Sequence, residues 1–254
     1  MAIVYNTNIP KNQLVFLFDV SNPKCVDATQ TIDANTRLNN LVGGSLQLQS
    51  EQTVSGSLGD MSFVKDGELY VYDQVGTNTS NYPGWKGTET VTAVDDYSFV
   101  GWYKYEVGSG NQRVSTNIYG GGLRGRTSFY LSPGGTSVNS GALRYSDVGS
   151  ANAFTIIGNR GTTDGNWHMF ATRDSGPDGN HTCEVYIDGE FVQTATSNAS
   201  HDTPHGAEGV VWGNWSGGYG HMTGRTNLFM YYNRTLTASE IKQIFNATKG
   251  RFGL

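Results

Sequence analysis

Glu184 and Asp188, in EVYIDGE, are the carboxylates whose spacing comes nearest to hydrolytic chemistry. Cleaving a glycosidic bond takes two carboxyl groups flanking it, one as nucleophile or base and one as acid. Side chains alternate faces along a strand, so such a pair must stay on the strand to share a face. Here the residues stand four positions apart, and Asp188 opens an Asp-Gly turn that leaves the strand. ELYVYD offers no better pair. Both runs read as solvent-facing strand charges, and no enzymatic activity is expected.

Other constellations fail on context. GGGLRGRT fits a G-x-x-x-x-G-[KR]-T spacing from Gly120 to Thr127. A phosphate-cradling loop needs lysine there, a strand before it and a helix after it. Arginine stands in, and SFYLS follows as a strand pattern, so a glycine-rich loop is expected. HDTPH offers His201, Asp202 and His205, but Pro204 forbids the regular helix that would align the two rings. Asp174, Asp178 and Asn180 in RDSGPDGNH carry oxygens of the kind calcium takes. The same residue types are common turn formers, and a plain hairpin loop is expected. No metal or other cofactor is assigned.

Aromatic residues offer a different chemistry, because their flat faces stack on sugar rings. VVWGNWSGGYGH places Trp212, Trp215, Tyr219 and His221 in glycine-rich chain, and NYPGWKG adds Tyr82 and Trp85. Trp212, Trp215, Tyr219 and His221 are the candidate glycan contacts. Burial in a core is the alternative for any of these rings, since tryptophans of a sandwich usually bury. Interface packing is another, since tryptophan and tyrosine are enriched there.

The elements that must position these residues are strands. QLVFLFDV (13–20) puts Leu14, Phe16 and Phe18 on one face, with Val15 and Leu17 on the other. YSFVGWYKY (97–105) sets Phe99, Tyr103 and Tyr105 against Val100 and Trp102. NWHMFATR (166–173) sets Trp167, Met169 and Ala171 against His168 and Phe170. CEVYIDGEFVQ reads as strand, Asp188-Gly189 turn, strand. TNLFMYYN (226–233) is apolar on both faces, as a central strand covered on each side would be. Glycine-rich turn clusters separate these runs, which predicts an all-β sandwich or jelly roll.

The chain's 254 residues fit one domain, 1–254, with a less regular part at 1–94 and a regular core at 95–248. A net charge of -5 without a basic stripe argues against a nucleic-acid partner. No apolar run reaches the roughly 20 residues of a membrane span. The N-terminus lacks a basic region followed by an apolar one, so a secretory signal is expected to be absent or already removed. Cys25 and Cys183 are too far apart in sequence for a disulfide scaffold or a zinc site. Cys183 alternates with Val185 and Ile187 and reads as a buried apolar residue, a Cys25–Cys183 bridge being the alternative.

One short helix closes the chain in TASEIKQIFNATKGRFGL. Thr237 and Glu240 form a capping box, and Leu236 and Ile241 a hydrophobic staple. Ile241, Ile244 and Phe245 make an apolar stripe that must dock. Lys249 and Arg251 suit the dipole at the helix end, and Gly250 is the expected C′ residue.

YSFVGWYK, DGNWHMFATRD, CEVYIDGEFV and GHMTGRTNLFMYYNRTLTASEI, in that order, resemble the laminin-G-like, concanavalin-A-like jelly-roll superfamily over about 95–248. LVFLFDVSNPKC near the start and EIKQIFNATKGRFGL at the end are similar to tailed-phage (cyanophage-like) virion proteins that carry this domain. TRLNNLVGGSLQLQ departs from their usual pattern. The resemblance implies a jelly-roll β-sandwich with one short C-terminal α-helix and a bacteriophage virion structural role on the particle surface, as capsid decoration, fibre or appendage. The implied partners are capsid or other virion proteins and further copies of the chain. A lectin-like module that binds host-surface glycan is the alternative. The expected assembly contact is the tail 249–254, through Lys249, Arg251, Phe252 and Leu254, so deleting it should weaken assembly and spare the fold.

Overall fold

The computed structural model describes residues 8–52, 61–74, 83–89, 96–105, 116–120, 123–132, 142–146, 154–159, 164–176, 180–197, 210–212 and 224–254. In chain order the strands are β1 (Leu14–Asp19), β2 (Arg37–Asn39), β3 (Gln47–Gln52), β4 (Met61–Asp66), β5 (Leu69–Gln74) and β6 (Pro83–Gly87). They continue as β7 (Tyr97–Tyr105), β8 (Thr116–Gly120), β9 (Leu123–Ser132), β10 (Ala142–Ser146) and β11 (Phe154–Asn159). The last are β12 (Trp167–Ser175), β13 (His181–Ile187), β14 (Glu190–Ser197), β15 (Val210–Trp212) and β16 (Gly224–Tyr232). Helix α1 (Ala238–Thr248) and a 3-10 turn (Lys249–Phe252) close the chain.

Among the described residues, the strands make two antiparallel eight-stranded sheets, a jelly-roll β-sandwich with one short C-terminal α-helix. The first sheet runs β14-β13-β12-β7-β16-β5-β4, with β1 also on β16. The second runs β11-β10-β9-β8-β15-β6-β3-β2. Six of these strands lie within residues 1–94 and are built into both sheets. NYPGWKG supplies β6 and VVW supplies β15, where the sequence suggests only loop.

Alternation then sorts the core into two layers. Phe16, Phe18, Tyr97, Phe99, Tyr103, Phe170, Phe229 and Tyr231 meet Leu38, Leu48 and Trp85 of the facing sheet. Leu17, Val100, Trp102, Met169, Leu228, Met230 and Tyr232 point the other way, towards α1. β16 is therefore covered on both faces, as its sequence requires. One face assignment is corrected. The ladder shifts register between Leu14 and Phe16, so Leu14 joins the α1 layer and Val15 the sandwich interior. A bulge of this kind reverses a face, which alternation alone cannot show. The Asp188-Gly189 turn forms as read, with φ of 53° and 77° at its two central residues. Cys25 and Cys183 are both buried and form no disulfide, and burial pushes the Cys25 thiol up to about 12.

Helix α1 is capped as its sequence demands. Thr237 Oγ1 accepts from Glu240 N at 3.2 Å, and Glu240 Oε2 accepts from Thr237 N at 2.8 Å. Leu236, Ile241 and Ile244 are buried together. Lys249 is the C-cap, so Gly250 falls at C′ as expected, but it lies inside the 3-10 turn and Gly253, at φ 80°, takes the left-handed position. The tighter turn carries the chain inward rather than ending it at Gly250. The Arg234 fork grips Glu240 at 2.6 and 2.9 Å and holds its carboxyl down to about 2. A depressed carboxylate stabilises the fold above its unfolded value, and that contribution is lost as pH falls from about 4.5 towards about 2. Glu240→Gln is expected to lower Tm by about 1–4 °C at pH 7. Thermal melts across pH should show the gap between variant and parent closing near pH 2; a gap constant with pH would contradict the assignment.

The tail corrects a second expectation. Phe252 is buried, its ring stacked on Trp102 at 4.1 Å and against Trp167 at 4.9 Å. Phe245 stacks on Trp102 at 5.8 Å, and Trp102 Nε1 donates to Thr248 Oγ1 at 3.0 Å. Arg251 forks onto Asp19 at 2.8 and 3.0 Å and donates to Asn227 Oδ1 at 3.1 Å. Deleting 249–254 would strip the Phe252 and Arg251 contacts from the fold, so the deletion is expected to destabilise it rather than spare it.

Candidate functional site

Strand ends define one rim of the sandwich. Gly224, which starts β16, lies opposite Gln74 at the end of β5 and Tyr105 at the end of β7. Met61, which starts β4, also faces Gln74. In the other sheet Trp212 ends β15 opposite Trp85 and Thr116, and Gln52 ends β3 opposite Pro83. The chain crosses between sheets four times from these ends, through 53–60, 75–82, 106–115 and 213–223, so all four segments attach here. Trp215, Tyr219 and His221 belong to 213–223 and Tyr82 to 75–82; these four lie outside the described residues. Of the candidate glycan residues the structure describes Trp212 alone, as the last residue of β15 at this rim.

Trp85 is a core residue. It is fully buried, stacked with Phe63 at 6.0 Å and edge-on to Tyr72 at 5.7 Å. The same sequence rule, that sandwich tryptophans bury, covers it.

A charged cluster lies beside the rim on the first sheet. Lys104 bonds Asp66 at 3.0 Å, Trp167 Nε1 donates to Asp66 at 2.9 Å, and Arg225 reaches Asp66 at 3.5 Å and Asp73 at 3.3 Å. Burial alone would raise the Asp66 carboxyl, but the Lys104 and Trp167 hydrogen bonds and the Arg225 charge outweigh it and hold it below its usual range. Such a carboxylate is held as an anion and positioned, not poised to exchange protons near neutrality. No local pattern marks this cluster, because its members come from five strands.

A second cluster centres on His168. Its Nδ1 lies 2.8 Å from Asp188 Oδ2 and its Nε2 3.1 Å from Asp164 Oδ1. Asp188 also accepts from Met169 N at 2.9 Å. Burial would lower the imidazole, yet the two carboxylates prevail and raise it. A raised histidine stabilises the fold below its unfolded value and loses that contribution as pH rises through its folded value. Glu184 is occupied elsewhere, accepting from Tyr186 Oη at 2.7 Å with Arg173 at 3.5 Å. Glu184 and Asp188 are therefore held by separate partners, not by solvent alone.

The remaining motifs fall into place individually. GGGLRGRT is mostly strand rather than the expected loop, since Gly120 ends β8 opposite Leu123 and its residues 123–127 lie in β9. Asp174 is buried in β12 and Asn180 is exposed, while Asp178 and HDTPH lie outside the described residues. Among the described residues no group of three or more His, Cys, Asp or Glu side chains could hold a metal. Of the four assembly residues, Arg251 and Phe252 turn into the fold. Lys249 sits over the Phe245 ring at 5.4 Å, and the Leu254 side chain is exposed. No helix among the described residues is long and apolar enough to cross a membrane.

No protein-family model and no curated protein sequence matches the chain. Solved structures do match. Domain 4 of AbnA, a GH43 extracellular arabinanase from Geobacillus stearothermophilus, in complex with arabinotriose, is similar with a TM-score of 0.58 at 14% identity. That match covers 92% of this chain and 99% of the arabinanase domain. The binding domain of Paraclostridial Mosquitocidal Protein 1 gives 0.58 at 13% identity, covering 92% of this chain and 52% of that one. A Trypanosoma rangeli sialidase gives 0.58 at 12%, covering 96% and 34%. The chain thus spans about half of the toxin chain and about a third of the sialidase. At these low identities the TM-scores establish a shared fold alone, and binding domains are among the neighbours.

Proposed function

We propose that this chain is a lectin-like binding module that takes a saccharide at the rim where 213–223 attaches. The end-to-end likeness to a domain solved with arabinotriose carries the reading, because it covers 92% of this chain and 99% of that domain. Trp212, Trp215, Tyr219 and His221 are the residues assigned to sugar contact, with stacking as the main attraction. The ion-paired state of Asp66, Asp73, Asp164 and Asp188 favours binding over hydrolysis. A glycan array, followed by calorimetry on the best ligand, tests it. Trp215→Ala is expected to weaken binding roughly thirtyfold, the scale of an aromatic hot spot. An array without hits, or a hit indifferent to the substitution, would refute the assignment.

A module of this kind acts wherever it is displayed. The virion resemblance supplies one setting, the surface of a phage particle with host glycan as the target. Fractionation of purified particles tests that setting separately from sugar binding.

A further inference from the structure

A pocket of about 330 Å³ opens at the far end of β16 from the rim. Ile9, Lys11, Leu14, Leu17, Leu41 and Val42 line it. Leu14 pairs with Tyr232, the last residue of β16, whereas the rim begins at Gly224, the first. The pocket and the proposed saccharide rim are thus separate.

Hydrogen bonds hold both walls in place. One wall is the segment 8–13. Its carbonyls are gripped by Tyr232 Oη at Pro10 (3.0 Å), Arg234 Nε at Asn12 (3.0 Å) and Gln243 Nε2 at Asn8. The other wall is organised by Asn40. Its Oδ1 accepts from Leu17 N and Val42 N, both at 3.1 Å, and its Nδ2 donates to Val15 O at 3.1 Å and Gly43 O at 3.0 Å. Leu41 N donates to Leu17 O at 2.9 Å. A cavity fixed in this way costs little to organise on binding.

The lining has one charge. Five of its six residues are apolar, and Ile9, Leu14, Leu17 and Leu41 also border the α1 layer. Lys11 is exposed and has no carboxylate partner among the described residues. The volume is at the small end of ligand sites, about 300–1,000 Å³. A protein partner would need a surface of about 1,200 Å² or more, beyond what six residues present.

We propose that this pocket binds a medium-chain alkyl carboxylate. Its tail lies among Ile9, Leu14, Leu17 and Leu41, and its head sits on Lys11 Nζ. Val42, 46% exposed, stands at the mouth. Calorimetric titration of the full chain with decanoate, kept below micelle-forming concentrations, tests this, with uncharged decanol in parallel. Saturable one-to-one decanoate binding is expected. Lys11→Glu should weaken it on the order of tenfold and leave decanol unchanged. Val42→Trp, which fills the mouth from an exposed position, should abolish binding of both. Unsaturable uptake, indifference to Lys11→Glu, or full binding to Val42→Trp would each overturn the proposal. Thermal melts matching the parent confirm that each variant is folded.

Discussion

Phe252→Ala is expected to cost about 3–5 kcal/mol of folding stability, the range for deleting a large buried aromatic. The ring is 8% exposed and sits 4.1 Å from Trp102 and 4.9 Å from Trp167, both buried. The substitution opens a void at the edge of the α1 layer and bares the indole of Trp102. The 3-10 turn cannot close that void, because its neighbours are rings anchored in β7 and β12. Domains are stable by about 5–15 kcal/mol in all, so a loss of this size leaves a marginal fold. Urea unfolding should show the midpoint falling with the slope unchanged. A loss under about 1 kcal/mol would mean that the ring is not part of the core. Phe252→Leu, which keeps much of the volume, should retain most of the stability.

Arg251→Ala is the second large effect, expected at about 3 kcal/mol. The Asp19 side chain is 7% exposed and the Arg251 side chain 19%, so the pair is mostly out of water. Removing the fork strands a buried carboxylate and the Oδ1 of Asn227. Ser21 N still donates to Asp19 at 3.1 Å, which keeps the cost at the low end for broken buried pairs. A double-mutant cycle with Asp19→Ala isolates the interaction. The double variant should be more stable than the sum of the single losses predicts, since neither partner is left alone. Additive losses would show that the two residues do not act as a pair. Deleting 249–254 removes both contacts together and is expected to leave little folded protein, which circular dichroism would report directly.

Local pattern carried much of the fold. The alternating strands β7 and β12 were readable residue by residue because each face meets a different apolar layer, and β16 was readable as a strand covered on both sides. The capping box on α1 was readable because it needs only neighbours in sequence. β6 was hidden by Pro83 and two glycines, and β15 by its three-residue length. The bulge in β1 was hidden because it depends on the partner strand. The end segments show the limit best. Asp19 and Arg251 looked like a signature of biological setting, yet their pairing gives them a structural task. Nothing local marks two residues that meet only after the sandwich closes. Asp66 and Arg225 were missed for the same reason. His168 had a faint trace, since Asp164 stands four positions before it, but Asp188 reaches it only through the hairpin. Of the aromatic run at 210–221 only β15 is described, and its last residue, Trp212, pairs with Trp85 and Thr116.

The union of β1 with β16 and of Asp19 with Arg251 also sets a schedule for biosynthesis. Asp19 and Arg251 are 232 positions apart. At about 5–20 residues per second, Asp19 waits about 12–46 s on the ribosome for its partner to be made. During that interval Phe16 and Phe18 have no β16 to lie against, and the first sheet lacks its central strand. Contacts this distant slow folding in any case. The nascent chain is therefore expected to expose Phe16 and Phe18 until β16 and then Arg251 have been made.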